Sequence, residues 1–501
     1  MRLIPQTRGG ALWRFALAAV TVVLFAATAT AVAGLLEFKQ LAKLISVTPP
    51  LRVPGITQAQ AGAPQTLLLI GSDHRAGTPY RTSNTDTMML VRLNADSSTI
   101  NVLSVPRDLK VLLPQGGVMA PGKLNSAYSL GGVGLLVHTL KTEVFPGLVI
   151  NHVIDVNFGG FTALVNAVGC VYVDVDHRYY NLNNGAPGTD YSSIDIQPGY
   201  ERLCGSDALA FVRFRHTDTD IVRNARQQDF LRWAKSQFSS STILDQRDRL
   251  ISIFGAHAQT DGDLHTTDGL LKLFDLVAFS AGHTVKQIPF PAILQNCTGS
   301  APCYVTATSD AEAAAYKAFM TPTIPHPPAH HAGGHGPRHH GPPPPPPPLT
   351  TDMADGQAQA QLLSSVNMPV YFPARIAPNS HYCAAGLCTE GPVQNSYPRG
   401  YRLMDRNGHW HAAYRLTLVM NPVLGQYYGV EGTTWQDPPI LSGPHQTRTV
   451  NGKQLQVYFN GAKVTLVAWH APTGVYWISN TLTDDLSGAQ MVAIAASLTR
   501  G

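Results

Sequence analysis

Charge is scarce in this 501-residue chain. Lys and Arg number 36 and Asp and Glu 32, so 14% of residues are charged and the net charge is +4. That excludes a broadly basic nucleic-acid binder; any anion site must be local. Cysteine is also sparse, with six residues: Cys170, Cys204, Cys297, Cys303, Cys383 and Cys388. The even number suits an exported, disulfide-bonded chain, and "CTGSAPC" and "CAAGLC" read as small cystine loops. Zinc is the rival reading, but neither short pair has a second pair at the usual spacing. Long apolar runs are absent except for one. Residues 15–36, "FALAAVTVVLFAATATAVAGLL", hold no charge and are long enough to cross about 30 Å of hydrocarbon. Arg2, Arg8 and Arg14 precede them. The positive-inside rule then predicts a cytoplasmic tail at 1–14, a single-pass anchor at 15–36 and everything after it outside the cell membrane. A cleaved signal peptide is the alternative, disfavoured because the run exceeds a usual signal core.

Acids are too few to pair the arginines of "ALAFVRFRHTDTDIVRNARQQDF", residues 208–230. Read as a strand, "ALAFVRFR" points Arg213 and Arg215 to one face. Asp218 or Asp220 then caps a helix, on which Arg223, Arg226 and Gln227 share a neighbourhood. Such an array of planar, bidentate donors suits phosphate.

The remainder divides by composition. Residues 37–63 read as a juxtamembrane spacer. From 64 to 320 strands alternate with helices, which predicts an α/β unit with a mixed central sheet flanked by helices. Its strands include "TLLLIGSD", "TMMLVRL", "INVLSVPRD", "VINHVIDV", "VYVDV", "ALAFVRFR" and "TVKQIPFPAI". Helices are expected around 126–140 and 158–168, through much of 224–282, and in a short helix capped by Ser309. A Pro/His-rich linker covers 321–361, and its histidines read as solvated spacer rather than metal ligands. Residues 362–501 read as a separate C-terminal α+β domain with Asn-Gly hairpins at Asn407, Asn451 and Asn460 and a closing helix. Its Trp410, Trp469 and Trp477 fit core positions better than sugar-stacking platforms.

If the first three strands form an antiparallel meander, Asp73, Asp86 and Arg107 meet at one sheet end. Two carboxylates and an arginine there suit Mg²⁺ (or Mn²⁺) and phosphate, since Mg²⁺ takes one or two carboxylates plus phosphate oxygens. Lys123 and Asn125, in "GKLNSAY" ahead of a helix, add a charge and an amide.

In that order, "LLLIGSDHR", "NTDTMMLVRL", "SVPRD", "KLNSAY", "GGFTALVNAVGCV" and "ALAFVRFRHTDTDIVRNARQQ" resemble the LytR–CpsA–Psr family of bacterial cell-wall assembly proteins. The resemblance implies an apolar pocket for a polyprenyl chain and an outside-facing enzyme. That enzyme moves a glycopolymer from a polyprenyl-diphosphate carrier onto peptidoglycan through a phosphodiester. By motif, Asp73 and Asp86 become the metal carboxylates. Arg107, Lys123, Asn125, Arg213, Arg215, Asp220, Arg223, Arg226 and Gln227 become the pyrophosphate site. Arg107, Asp86, Arg215 and Arg223 would act in catalysis. One position departs: Asn84 stands where many members place an arginine, with Arg81 the nearest substitute. Hydrolysis of the diphosphate without transfer, and non-catalytic polyprenyl-phosphate binding, stay open as alternatives. Cys170 and Cys204 flank adjoining parts of the implied fold and are expected to pair.

Overall fold

The computed structural model describes residues 49–60, 62–74, 83–94, 99–185, 193–214, 218–237, 247–266, 280, 283–295, 304–321, 348–383, 388 and 396–501. The apolar run at 15–36, most of the Pro/His segment, Arg81, Arg215, Cys297 and Cys303 lie outside them. Among the described residues no helix is long and apolar enough to cross a membrane.

The expected meander is present. Strands β1 (Gln65–Ser72), β2 (Thr85–Leu93) and β3 (Thr99–Ser104) pair antiparallel. β4 (His152–Asn157) joins β1 in parallel, β5 (Ala258–Thr260) pairs antiparallel with β4, and β6 (Thr284–Ile288) runs parallel to β3. The order is thus β5-β4-β1-β2-β3-β6, a mixed sheet. Alternation buries both faces. Leu68, Ile70, Met88, Leu90 and Leu103 pack with Ala127, Tyr128 and Leu136 of helix α1 (Leu124–Thr139). Leu67, Met89, Val91, Val102 and Ile154 form the opposite face. Helix α2 (Phe158–Ala167) follows β4 directly, its first turn capped by Asn157, whose Oδ1 accepts from Gly160 N at 2.9 Å.

Strands at Val171–Val175 and Gly199–Leu203 pair antiparallel. At their base, Cys170 and Cys204 are disulfide-bonded with Cα atoms 4.5 Å apart; Cys383 and Cys388 form a second disulfide.

The segment read as the strand "ALAFVRFR" is instead helical: α3 spans Gly205–Arg213. The alternation of Ala210, Val212 and Phe214 fitted a strand. However, buried Ala208, Phe211 and Val212 lie at i, i+3 and i+4, and the Ala-Leu-Ala run favours a helix. Arg213 therefore ends a helix rather than sharing a strand face with Arg215. Helix α4 (Asp220–Gln237) follows. Its cap is neither expected aspartate but Thr219, whose Oγ1 accepts from Val222 N at 3.4 Å.

Three boundaries also shift. Residues from Leu51 onward are not a free spacer: Leu51 is buried, and its N–H donates to Thr260 O at 2.8 Å. The last helix of the first unit, Ser309–Met320, is capped by Thr308 rather than Ser309. Residues assigned to the linker form most of a helix at Met353–Leu362, whose Ala360 enters the C-terminal core. Alanine and glutamine carry that helix, and composition alone does not separate them from linker.

The C-terminal unit is α+β: an eight-stranded antiparallel sheet with helices at Met353–Leu362 and Gly488–Ala496. Trp469 and Trp477 are buried as expected, whereas Trp410 is 56% exposed. The unit has its own core but shares a second one with the first unit. There Tyr172 and Tyr200 pack with Leu403 and Trp477. Beside this contact, buried Arg415 reaches Asp174 Oδ1 at 2.5 Å and Glu431 Oε1 at 2.9 Å.

Candidate active site

The meander does bring Asp86 and Arg107 together. Arg107 Nη1 lies 2.5 Å from Asp86 Oδ1, and Arg213 Nε, arriving from the end of α3, lies 3.0 Å from Oδ2. One carboxylate is thus held in a fork of two guanidiniums. Burial pushes the Asp86 pKa up, but Arg213, then Arg107 and Arg223 outweigh it and hold the group below the usual carboxylate range. Arg213 also sits 3.9 Å over the Phe158 ring at the start of α2, which fixes its direction.

Behind this fork stands a second layer. Asp220, the first residue of α4, is buried; it lies 3.2 Å from Arg223 Nη2 and accepts from Asp108 N at 3.3 Å. Arg223 is almost fully buried, and its Nε has no hydrogen-bond partner among the described residues. Burial lowers its pKa, with the Asp220 carboxylate opposing. Lys123 precedes α1 and reaches Asp108 at 3.2 Å. Burial, and then Asp220, raise the Asp108 pKa. Asn125 joins by its backbone, donating to Arg107 O at 3.0 Å; its buried Oδ1 has no partner among the described residues.

Asp73 lies just past β1, exposed. Its Oδ1 accepts from Asn84 N at 2.6 Å, and its own N–H donates to Asn84 O at 3.2 Å. Asn84 therefore ties the two carboxylate-bearing strand ends through its backbone. Among the described residues no group of three or more His, Cys, Asp or Glu could hold a metal. Asp73 and Asp86 offer two hard oxygen donors of the kind Mg²⁺ takes, with both Asp86 oxygens engaged by arginines and Asp73 Oδ1 by Asn84 N.

Two expected phosphate ligands have other work. Arg226 is fully buried; its Nη1 donates to Phe211 O and Phe214 O, each at 2.9 Å, and it pairs with Asp218. Gln227 Nε2 donates to Val212 O at 3.1 Å. Both fasten the end of α3 to α4, which positions Arg213. Their placement follows from the helical state of 205–213, which leaves carbonyls at its C-terminus needing donors. Arg215 lies outside the described residues.

One buried network escaped the sequence reading. Asp155, mid-strand in β4, accepts from Ser72 Oγ at 2.6 Å and Tyr128 OH at 2.5 Å. Burial raises its pKa. It joins β1, β4 and α1 through Ser72, the residue before Asp73. The available signal was a carboxylate within the apolar run "HVIDV", which needs partners when buried.

The sequence model of the LytR_cpsA_psr family matches residues 32–318, more than half the chain. The chain belongs to the LytR_cpsA_psr family. Within it, the polyisoprenyl-teichoic acid–peptidoglycan teichoic acid transferase TagU of Oceanobacillus iheyensis is 33% identical over 213 residues. That match covers 41% of this chain and 61% of TagU. The transferase of the same description TagV of Bacillus subtilis is 29% identical over 227 residues, covering 45% of this chain and 55% of TagV. The chain spans roughly half to three-fifths of the length of its curated relatives. A solved LytR-Csp2A-Psr enzyme from Actinomyces oris is 18% identical with a TM-score of 0.40, covering 55% of this chain and 97% of that one. The matched family region ends before the C-terminal unit begins.

Proposed function

We propose that this family member is a membrane-anchored, extracytoplasmic phosphotransferase. It moves a glycopolymer from a polyprenyl-diphosphate carrier to peptidoglycan. The observation that carries the reading is the fork of Arg107 and Arg213 around Asp86, with Arg223 buried behind it. The guanidiniums already hold one anion, and a diphosphate offers more charge in the same geometry. The names of TagU and TagV, which describe teichoic acid transfer to peptidoglycan, support the substrate class. The apolar run at 15–36 supports the anchor and the outside location.

In the reaction, an acceptor hydroxyl oxygen bonds to the phosphorus that carries the glycan. The bond from that phosphorus to the bridging oxygen breaks, and polyprenyl phosphate leaves with the electron pair. Arg107, Arg213 and Arg223 stabilise charge on the departing phosphate, with Arg215 expected to join them. Lys123 adds charge at the start of α1. Asp73 and Asp86 would hold Mg²⁺, which when bound would supply positive charge to the phosphate oxygens. Asp86, held ionised below the ordinary range, is a weak proton acceptor. Exposed Asp73 is the better placed carboxylate for the acceptor's proton.

Transfer from lipid-linked oligosaccharide to peptidoglycan, with and without Mg²⁺, tests this reading, alongside lipid-diphosphate titrations. Arg213→Ala loses a charge-assisted contact of roughly 1.5–3 kcal/mol, so diphosphate binding is expected to weaken about tenfold or more. Asp86→Ala is expected to abolish turnover while lipid binding persists. Transfer by Asp86→Ala at the wild-type rate would place the chemistry elsewhere.

A further inference from the structure

The two units enclose a groove that starts beside the arginine site. Its first part, about 280 Å³, is lined by Ser104, Pro106, Ile221, Asn224 and Gln228 on one side and Asn460–Lys463 on the other. Pro106 precedes Arg107, and Ile221 and Asn224 flank Arg223 along α4. Its second part, about 540 Å³, continues along α4 past Asp229, Arg232 and Trp233, facing Tyr458 and Asn480. Both parts share Leu482 and Asp484 as a wall, so they adjoin. From Arg223 to Arg232 the helix rises about 14 Å, at 1.5 Å per residue. The groove thus leads away from the diphosphate fork over more than the length of one sugar unit.

Its lining is mixed: Ile221, Ile288, Phe290 and Ala318 make the first part largely apolar, with polar side chains set among them, and the second part is more polar. Ser104 Oγ and Asn224 Nδ2 are buried at the end nearest the fork, and neither has a hydrogen-bond partner among the described residues. Unpaired buried donors of this kind call for a ligand that brings its own polar atoms. Farther along, Gln287 Nε2 donates to Asp229 Oδ1 at 3.0 Å, and Asn460 bonds Gln287 across the two units. Carboxylates, amides and hydroxyls set among apolar surface are the chemistry that recognises a hydroxyl-rich chain: apolar surface for sugar faces, amides and acids for hydroxyls.

We propose that this inter-unit groove binds a glycan chain and delivers its end to the arginine site. The C-terminal unit, for which the family supplies no role, then acts as the outer wall of a saccharide subsite. The proposal deepens the transferase reading and rests on it for the identity of the reacting end. The glycan chemistry is common to the carrier-linked polymer and to the peptidoglycan strand.

The experiment uses the full chain in detergent and two lipid-free probes. One is a β-1,4-linked N-acetylated amino-sugar tetrasaccharide of peptidoglycan type, and the other is a phosphate-containing glycopolymer fragment. Ala462 lines the first part of the groove and is exposed on a hairpin turn, so Ala462→Trp fills the groove without removing a contact. Asn224→Ala is the second variant. At least one probe is expected to bind wild type, and Ala462→Trp to weaken it about tenfold or more, with lipid-diphosphate affinity unchanged. Preference for the tetrasaccharide marks an acceptor subsite; preference for the polymer fragment marks a donor subsite. If neither probe binds, or both variants bind as wild type does, the groove is not a glycan site. Because these readouts need no turnover, the proposal and the transferase reading fail separately.

Discussion

Asp86 shows how one side chain acquires its character from its neighbours: two guanidiniums on its two oxygens overcome burial and keep it charged. Asp484 shows the reverse. It lies half-buried in the groove wall with a left-handed backbone (φ 53°), and burial, reinforced by Asp229, pushes its pKa up to about 7. An aspartate that ionises near 3.9 when unfolded and near 7 when folded binds more protons in the native state between those values. Stability therefore falls as pH rises from about 4 to about 7 and levels off above it, by at most about 4 kcal/mol. Asp484→Asn, which tolerates the same backbone, is expected to remove most of that slope. Urea melts of wild type and variant at pH 5 and pH 8 check it: wild type loses more stability than the variant between the two. Equal losses would mean that Asp484 ionises normally.

At the scale of elements, α3 is the piece on which the site turns. Its start is fixed by the Cys170–Cys204 disulfide and its end by Arg226, which takes the carbonyls of Phe211 and Phe214. Replacing both cysteines by alanine is expected to cost about 3–4 kcal/mol in the chain-entropy model. Thermal melts of this variant, and of wild type with and without reductant, measure the loss. Diphosphate affinity should fall with it, since Arg213 ends the freed helix. This element also marks where the sequence could be read and where it could not. The meander was legible because three β-rich runs with turn residues between them allow few pairings, and it brought Asp86 to Arg107 correctly. Helix α3 was not legible, because nine residues of mixed spacing satisfy both periods and only tertiary packing decides between them. The roles of Arg226 and Gln227 were lost with it, for an arginine's partners depend on which carbonyls are left open nearby. Asp155 was hidden for a different reason: its partners Ser72 and Tyr128 are remote in sequence, and no local pattern links them.

The whole molecule is held together by contacts that skip the linker. Arg415 pairs with Asp174, Tyr401 OH accepts from Tyr200 N at 2.7 Å, and Tyr172 OH donates to Met404 O at 2.6 Å. Every one of these lands on the paired strands Val171–Val175 and Gly199–Leu203, whose base carries the disulfide and leads into α3. A chain ending at residue 321 is expected to expose Tyr172 and Tyr200 and to self-associate. Size-exclusion chromatography at rising concentration checks this, with a concentration-independent monomer as the contrary result. The C-terminal sheet in turn packs beside a strand at Leu498–Arg500 that pairs with Tyr371–Pro373. That pairing bears on the order of folding in a chain made from its N-terminus. The arginine site belongs to residues made early, yet the unit that packs against the strands leading into α3 is completed only when Leu498–Arg500 has joined Tyr371–Pro373. The early residues therefore wait for the late ones before Tyr172 and Tyr200 are covered.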